Sequence, residues 1–138
     1  MELPNIEFTS WHKWKERKRV KNSDYPGVYI IAKFESVPSG HAHWLDQNII
    51  YIGETWNNSL QGRWRQFDRS AFKDKSGHSG GATYNRKFGD TGIDLYVAAL
   101  PVADVGRNLK PFFTRFVERK LILDFVAKWG KPPVCNRK

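Results

Sequence analysis

The sequence predicts an α/β fold, and two patterns point to it. Three short segments rich in β-branched and aromatic residues are typical of strands: Val28 to Phe34, Asn48 to Ile52 and Leu95 to Leu100. A fourth segment, from about Pro111 to Gly130, has apolar residues over much of its circumference at helical spacing, which predicts a helix packed against a sheet. With 138 residues, of which 40% are apolar, the chain is long enough for a domain with its own core.

The first predicted element is a short basic helix from Ser10 to Lys21. Ser10 can cap this helix, and two tryptophans form a narrow apolar edge among lysines and arginines. We therefore interpret residues 1–24 as a basic N-terminal helical extension and residues 25–138 as the domain itself.

The remaining segments are assigned from turn and cap residues. The segment from Glu35 to Gln47 contains proline, glycine and histidine and is predicted to be a loop between the first two strands. Gly53 is expected to interrupt the second strand, and Ser59 can cap a helix from Leu60 to about Phe72. The Gly-rich segment from Lys73 to Gly81 has too few apolar residues to be buried, so we expect an exposed and mobile loop.

The charge of the chain favours a polyanionic partner. It carries 23 Lys and Arg against 14 Asp and Glu, a formal net charge of +9. Such an excess attracts nucleic acid, but proteins that bind membrane surfaces or heparin are equally basic. Charge alone therefore identifies no reaction.

Cysteine content and hydropathy argue against a zinc-binding or a membrane-spanning protein. Cys135 has no cysteine partner in the chain, and no Cys/His cluster has zinc-ligand spacing; His41 and His43 lack a third ligand. No apolar run approaches the ~18 residues that a membrane span needs, and the N-terminus has no apolar signal core. We expect a cytoplasmic protein that is not bound to a membrane.

Two tripeptides on predicted strands resemble the signature of the GIY-YIG nuclease family: Gly27-Val28-Tyr29 and Tyr51-Ile52-Gly53. Later elements follow in the family's order, namely Leu60-Gln61-Gly62-Arg63 at the start of a helix, Glu118 within an apolar helix and Asn136 after a Pro-rich turn. The resemblance implies a small, largely antiparallel three-stranded sheet flanked by helices. It also implies metal-dependent hydrolysis of phosphodiester bonds in DNA.

The resemblance assigns Tyr29, Tyr51 and Arg63 to the reaction itself. The two tyrosines would lie side by side on adjacent strands and orient or deprotonate the attacking water. Because the pKa of an ordinary tyrosine is about 10, a cation must assist such a base. Arg63 would hold the scissile phosphate with a fork of hydrogen bonds. It stands farther from the YIG tyrosine than the family's pattern suggests, so Arg65 is an alternative.

The resemblance makes Glu118 the metal ligand and gives Asn136 an organising role. A single carboxylate completed by water and phosphate oxygens suits Mg²⁺, and Mn²⁺ is a plausible substitute. Glu118 could instead form an ion pair with Arg115 or Arg119. Asn136 would organise the site through hydrogen bonds, or it could be an ordinary loop residue.

The sequence departs from the family's pattern at Phe67, where relatives often carry His or Tyr. His78 in the Gly-rich loop could compensate for the missing acid or base, since histidine titrates near neutral pH. It could equally be a solvated loop residue. Lys33, on the same face of the first strand as Tyr29, is a candidate phosphate contact, although a surface lysine is the default reading.

The remaining basic residues are candidates for binding the DNA backbone: Lys13, Arg17, Arg65 and Arg69. The basic helix could instead be a solvated face or a dimer arm. A homodimer would allow both strands to be cut, because one site cuts one strand. The other class of function is a basic DNA- or RNA-binding module that has the scaffold without the hydrolysis.

Overall fold

Four strands form one antiparallel sheet in this computed structural model, which describes residues 4–103 and 105–137. The strands are β1 (His12–Lys13), β2 (Gly27–Lys33), β3 (Ile49–Thr55) and β4 (Leu95–Pro101). They lie in the order β1-β4-β2-β3, so β2 is central and β3 is an edge strand. The predicted α/β class is confirmed. The sheet has four strands rather than three, because a two-residue strand is added at the β4 edge.

Three α-helices and one 3-10 helix accompany the sheet. They are the 3-10 helix Trp14–Arg19, α1 (Leu60–Phe72), α2 (Ser79–Lys87) and α3 (Lys110–Trp129). The Ser59 side chain caps α1 by accepting a hydrogen bond from the Gly62 N–H, and α3 ends at Gly130, whose φ is +85°. Of the helices in the described segments, none has the length and apolar content that crossing a bilayer requires.

The two faces of the sheet carry separate hydrophobic clusters. Side chains alternate along a strand, so neighbouring residues of β2 point in opposite directions. Val28 and Ile30 pack on one face with residues of α3 such as Leu121. Tyr29 packs on the other face with residues of α1 such as Trp64. The alternation thus directs the first signature tyrosine towards α1.

The predicted helix from Ser10 to Lys21 is wrong at both ends. His12 and Lys13 pair with β4, and only residues 14–19 form a helix, of the 3-10 type. Trp14 is buried, and its indole N–H donates to Asp68 Oδ1 at 2.8 Å. This anchoring accounts for the difference, because Trp14 is fixed against α1 while the preceding residues complete the sheet. The N-terminal segment is therefore packed against the domain, with Phe8 in the α3-side cluster.

The Gly-rich segment is not the fully exposed loop that its composition predicts. Residues 73–77 are exposed, but His78, Gly80 and Gly81 are buried and begin α2. The His78 side chain caps this helix by accepting a hydrogen bond from the Gly81 N–H, and α2 packs against α1. Gly53 likewise does not end its strand, since β3 continues to Thr55.

Candidate active site

The two signature tyrosines lie next to each other on β2 and β3. Tyr29 pairs with Gly53 and Ile31 pairs with Tyr51, so the tyrosines are diagonal neighbours with ring centroids 6.0 Å apart. Tyr29 is 0% exposed and Tyr51 is 9% exposed. Burial raises the pKa of Tyr29 well above its usual value and that of Tyr51 to about 12. Both side chains are therefore neutral phenols at neutral pH.

Arg63 in the first turn of α1 brings a positive charge to the tyrosine pair. Its charge acts against burial and lowers the pKa of both Tyr29 and Tyr51. Its Nη1 donates to Gln66 Oε1 at 2.6 Å and to the Gly77 carbonyl at 3.3 Å, which orients the guanidinium group.

The alternative residue, Arg65, lies elsewhere on the surface. It is exposed and lines a separate surface depression with Lys18, and its charge acts on Arg17. Positions 63 and 65 are about 200° apart around a helix, so only one of them can face the tyrosines. That residue is Arg63.

Glu118 on α3 is close enough to the tyrosines to affect their titration. Its charge raises the pKa of both Tyr29 and Tyr51. Burial, and then the charge of Glu54, raise the pKa of Glu118 itself to about 7. Among the described residues Glu118 forms no salt bridge, and the Arg119 charge offsets the shift only in part. The ion pair considered as its alternative role is thus not formed.

Glu54 is a site residue that the sequence reasoning missed. It lines a cavity of about 530 Å³ whose other walls are Thr55, Trp56, Asn57, Asn58, Arg63 and Gln66. Its Oε2 atom is buried and has no hydrogen-bond partner among the described residues. The signal that could have identified Glu54 is the continuation of β3 beyond Gly53. Side chains alternate along a strand, so Glu54 lies on the α3 side of the sheet, the same side as Ile52.

His78 lies inside the site rather than in a mobile loop. It is 2% exposed, its Nε2 is 2.8 Å from the Tyr29 hydroxyl, and its ring meets Tyr51 edge-on with centroids 5.3 Å apart. Burial, and then the Arg63 charge, lower the pKa of His78 to about 3. The expectation that His78 titrates near neutral pH is therefore wrong, and the imidazole is neutral at physiological pH.

Asn136 contacts the backbone of β3 and not the cavity. Its Oδ1 accepts from the Ile52 N–H and its Nδ2 donates to the Ile52 carbonyl, both at 2.9 Å. The neighbouring Cys135 N–H donates to the Ile50 carbonyl at 2.8 Å. The C-terminal tail thus pairs with the edge of the sheet at the residue between Tyr51 and Gly53. Asn136 supports the strand that carries Tyr51.

The other predicted substrate contacts lie outside this cluster. Lys33 Nζ contacts Asp90, Asp94 and the Tyr84 hydroxyl at 2.6, 3.1 and 3.1 Å, which engages all three of its donors. Lys33 is therefore not free to bind a phosphate.

Arg17 is also committed to packing. It lies over the Trp14 ring at 4.7 Å and 3.8 Å from Asp68. Lys13 is part of β1 and partly buried, and Arg69 is exposed on α1. Among the predicted substrate contacts, Arg65 and Arg69 are the two that are exposed to solvent.

No family model, curated protein or solved structure matches this chain. The functional argument therefore depends on the side chains themselves.

Proposed function

We propose that the chain is a metal-dependent endonuclease that hydrolyses phosphodiester bonds in DNA. The observation that carries the proposal is the pair of adjacent tyrosines, whose ring centroids lie 6.0 Å apart, with Arg63 and Glu118 near enough to act on both. The charges of Arg63 and Glu118 each act on the pKa of Tyr29 and of Tyr51. These are the four residues to which the resemblance to GIY-YIG nucleases assigns the chemistry.

Arg63 binds the scissile phosphate in this proposal. Its orientation by Gln66 and Gly77 fixes the planar guanidinium group at the wall of the cavity. A fixed fork of donors stabilises the additional negative charge of the transition state without reorganisation during the reaction. The cavity of about 530 Å³ is large enough for a phosphate group and its flanking sugar atoms.

The carboxylates of Glu54 and Glu118 fit a divalent cation. The charge of Glu54 raises the pKa of Glu118, and Glu54 Oε2 is buried without a partner among the described residues. Two carboxylates whose charges act on each other, one of them with an unsatisfied oxygen, offer hard oxygen donors, which suit Mg²⁺, with Mn²⁺ as a substitute. The described residues contain no group of three or more metal-binding side chains, so water and phosphate oxygens would complete the coordination. A bound ion would supply Lewis-acid stabilisation of the departing 3′ oxygen.

The tyrosine pair orients the attacking water. A phenol whose pKa is about 12 is a weak base at neutral pH, so its first contribution is to direct the water by a hydrogen bond. The positive charge of Arg63 lowers the cost of any phenolate that forms.

A non-catalytic DNA- or RNA-binding module is the second candidate. The complete burial of Tyr29 and the raised pKa values of both tyrosines favour it, because they oppose proton abstraction. The net charge of +9 suits either function.

Incubation of supercoiled plasmid with the protein separates the two candidates. The nuclease should convert the plasmid to nicked or linear forms with Mg²⁺ and leave it intact with EDTA. Retention of the plasmid without cleavage in both buffers would support the binding module and overturn the nuclease. Sequencing of the cleaved ends would report the sequence preference and the number of strands cut.

A further inference from the structure

The hydrogen bonds of His78 define which ring nitrogen carries its proton. The Gly81 N–H donates to His78 Nδ1 at 3.2 Å. A backbone N–H can only donate, so Nδ1 must present its lone pair. The neutral imidazole then carries its proton on Nε2, and the low pKa of His78 keeps it neutral.

This tautomer gives a direction to the contact between His78 and Tyr29. Nε2 lies 2.8 Å from the Tyr29 hydroxyl, and its N–H must donate to that oxygen. The Tyr29 hydroxyl proton therefore points away from His78. Tyr51 is the neighbouring phenol on the adjacent strand, with its ring centroid 6.0 Å from that of Tyr29, and it is the group towards which this proton can turn.

The packing around His78 holds this arrangement in place. The backbone N–H of His78 donates to Ser70 Oγ at 3.1 Å. The imidazole ring contacts Phe67 edge-on, with ring centroids 5.1 Å apart. The charged or titratable groups that act on His78 are Arg63, Tyr29 and Tyr51. The Gly81 N–H already occupies Nδ1, so none of these groups hydrogen-bonds with His78 through that nitrogen.

Solvent exposure distinguishes the two tyrosines. Tyr29 is completely buried, whereas part of Tyr51 reaches the surface. Tyr51 is therefore the tyrosine of the pair that solvent can reach.

We propose that His78, held as the Nε2–H tautomer, directs this hydrogen-bond chain outwards, so that Tyr51 contacts the attacking water and Tyr29 is a positioning residue behind it. The last step rests on the proposed nuclease function, whereas the direction of the chain does not. The resemblance alone implies that the tyrosine pair as a whole acts on the water, and the sequence suggests an acid or base role for His78.

Nitrogen-15 NMR of the metal-free protein tests the direction of the chain. The His78 signals should show a neutral ring with its proton on Nε2 between about pH 5 and pH 9. The same tautomer should persist in Tyr29→Phe, because the Gly81 N–H still requires the Nδ1 lone pair. A proton on Nδ1, or a charged ring in this range, would overturn the proposal.

Single-turnover cleavage of DNA tests the division between the tyrosines. Tyr51→Phe should slow cleavage by roughly 10²- to 10⁴-fold. Tyr29→Phe should slow it only about tenfold, as expected for the loss of one hydrogen bond. Tyr84→Phe removes another buried hydroxyl in the same cluster and should leave the rate unchanged.

The reverse order of the two effects would overturn the assignment to Tyr51. A wild-type protein that does not cleave with Mg²⁺ would overturn the nuclease function, and the assignment to Tyr51 with it. The NMR result would still decide the direction of the chain in that case.

Discussion

Burial favours the neutral form of the titratable residues at the candidate site. It is the largest cause of the raised pKa values of Tyr29, Tyr51 and Glu118 and of the lowered pKa of His78. Arg63 is the group whose positive charge opposes the shifts of the tyrosines. At the scale of single residues, a positive charge near the tyrosines therefore favours their ionised forms.

Glu118 should make the stability of the metal-free protein depend on pH. Its pKa is about 7 in the folded state, above the usual value of 4.5, so its stabilising contribution is complete below about pH 4.5 and is lost as pH rises through 7. The free energy of unfolding of the wild type, relative to Glu118→Gln, should therefore fall over this range. Urea denaturation in EDTA measures the difference, and a difference independent of pH would contradict the raised pKa.

Arg63 should not be replaceable by lysine. Arg63→Lys keeps the positive charge but loses the planar fork, so cleavage should fall by roughly 10²- to 10³-fold. Arg65→Lys is the matched control on the same helix and should retain activity. Rates of plasmid nicking measure both variants, and an equal loss in the two would show that Arg63 has no special position.

The residue identities were easier to predict than their surroundings. The order of short motifs predicts Tyr29, Tyr51, Arg63 and Glu118 as site residues, and in the structure Arg63 and Glu118 lie near enough to both tyrosines to affect their pKa values. Their protonation depends on burial, which no local pattern reports. The sequence pattern does not indicate Glu54, because Gly53 predicts an interruption of the strand that the structure does not show.

At the scale of elements, strong local signals and tertiary packing determined different parts of the structure. The capped helix α1 and the Gly130-terminated helix α3 follow from cap residues and apolar spacing. Helix α2 begins Ser-Gly-Gly, poor helix formers, and it forms against α1 with His78 as its cap. The N-terminal segment similarly depends on the burial of Trp14. Contacts between elements determine the conformation of both segments, and local sequence patterns do not report such contacts.

The close approach of α2 to β3 should be intolerant of a side chain at Gly80. A Cβ atom there would lie 2.5 Å from Cε1 of Tyr51, while Gly53 borders the other edge of the same ring. Gly80→Ala should displace Tyr51, lower the free energy of unfolding by roughly 1–3 kcal/mol and reduce cleavage. Gly106→Ala, where a Cβ would meet nothing within 4 Å, is the matched control. Thermal unfolding monitored by circular dichroism compares them, and equal stabilities would contradict the tight packing.

At the scale of the whole molecule, the positive charge is not confined to the site. Lys15, Lys18, Arg19 and Lys21 are exposed along the N-terminal segment, and the chain carries a net charge of +9. These residues are better placed than Lys33 or Arg17 to contact phosphates, because the latter two are engaged by other side chains. DNA is therefore expected to be held along a surface as well as at the cavity.

DNA affinity should fall steeply with salt if these residues bind the backbone. About four phosphate contacts would lower the affinity roughly a hundredfold between about 50 and 200 mM salt. Fluorescence anisotropy with a labelled duplex in EDTA measures this dependence. Affinity that does not change with salt would exclude the basic surface as the main contact.

Cleavage and duplex binding by Glu118→Ala, measured side by side, test whether Glu118 acts in the cleavage reaction itself. Cleavage with Mg²⁺ should be abolished, while the affinity for duplex DNA should stay within about threefold of the wild type. Asp124→Ala removes another acidic residue of α3, one paired with Lys120, and should retain both properties. If Glu118→Ala lost binding and cleavage to the same extent, Glu118 would be a structural residue and the proposed catalytic site would be contradicted.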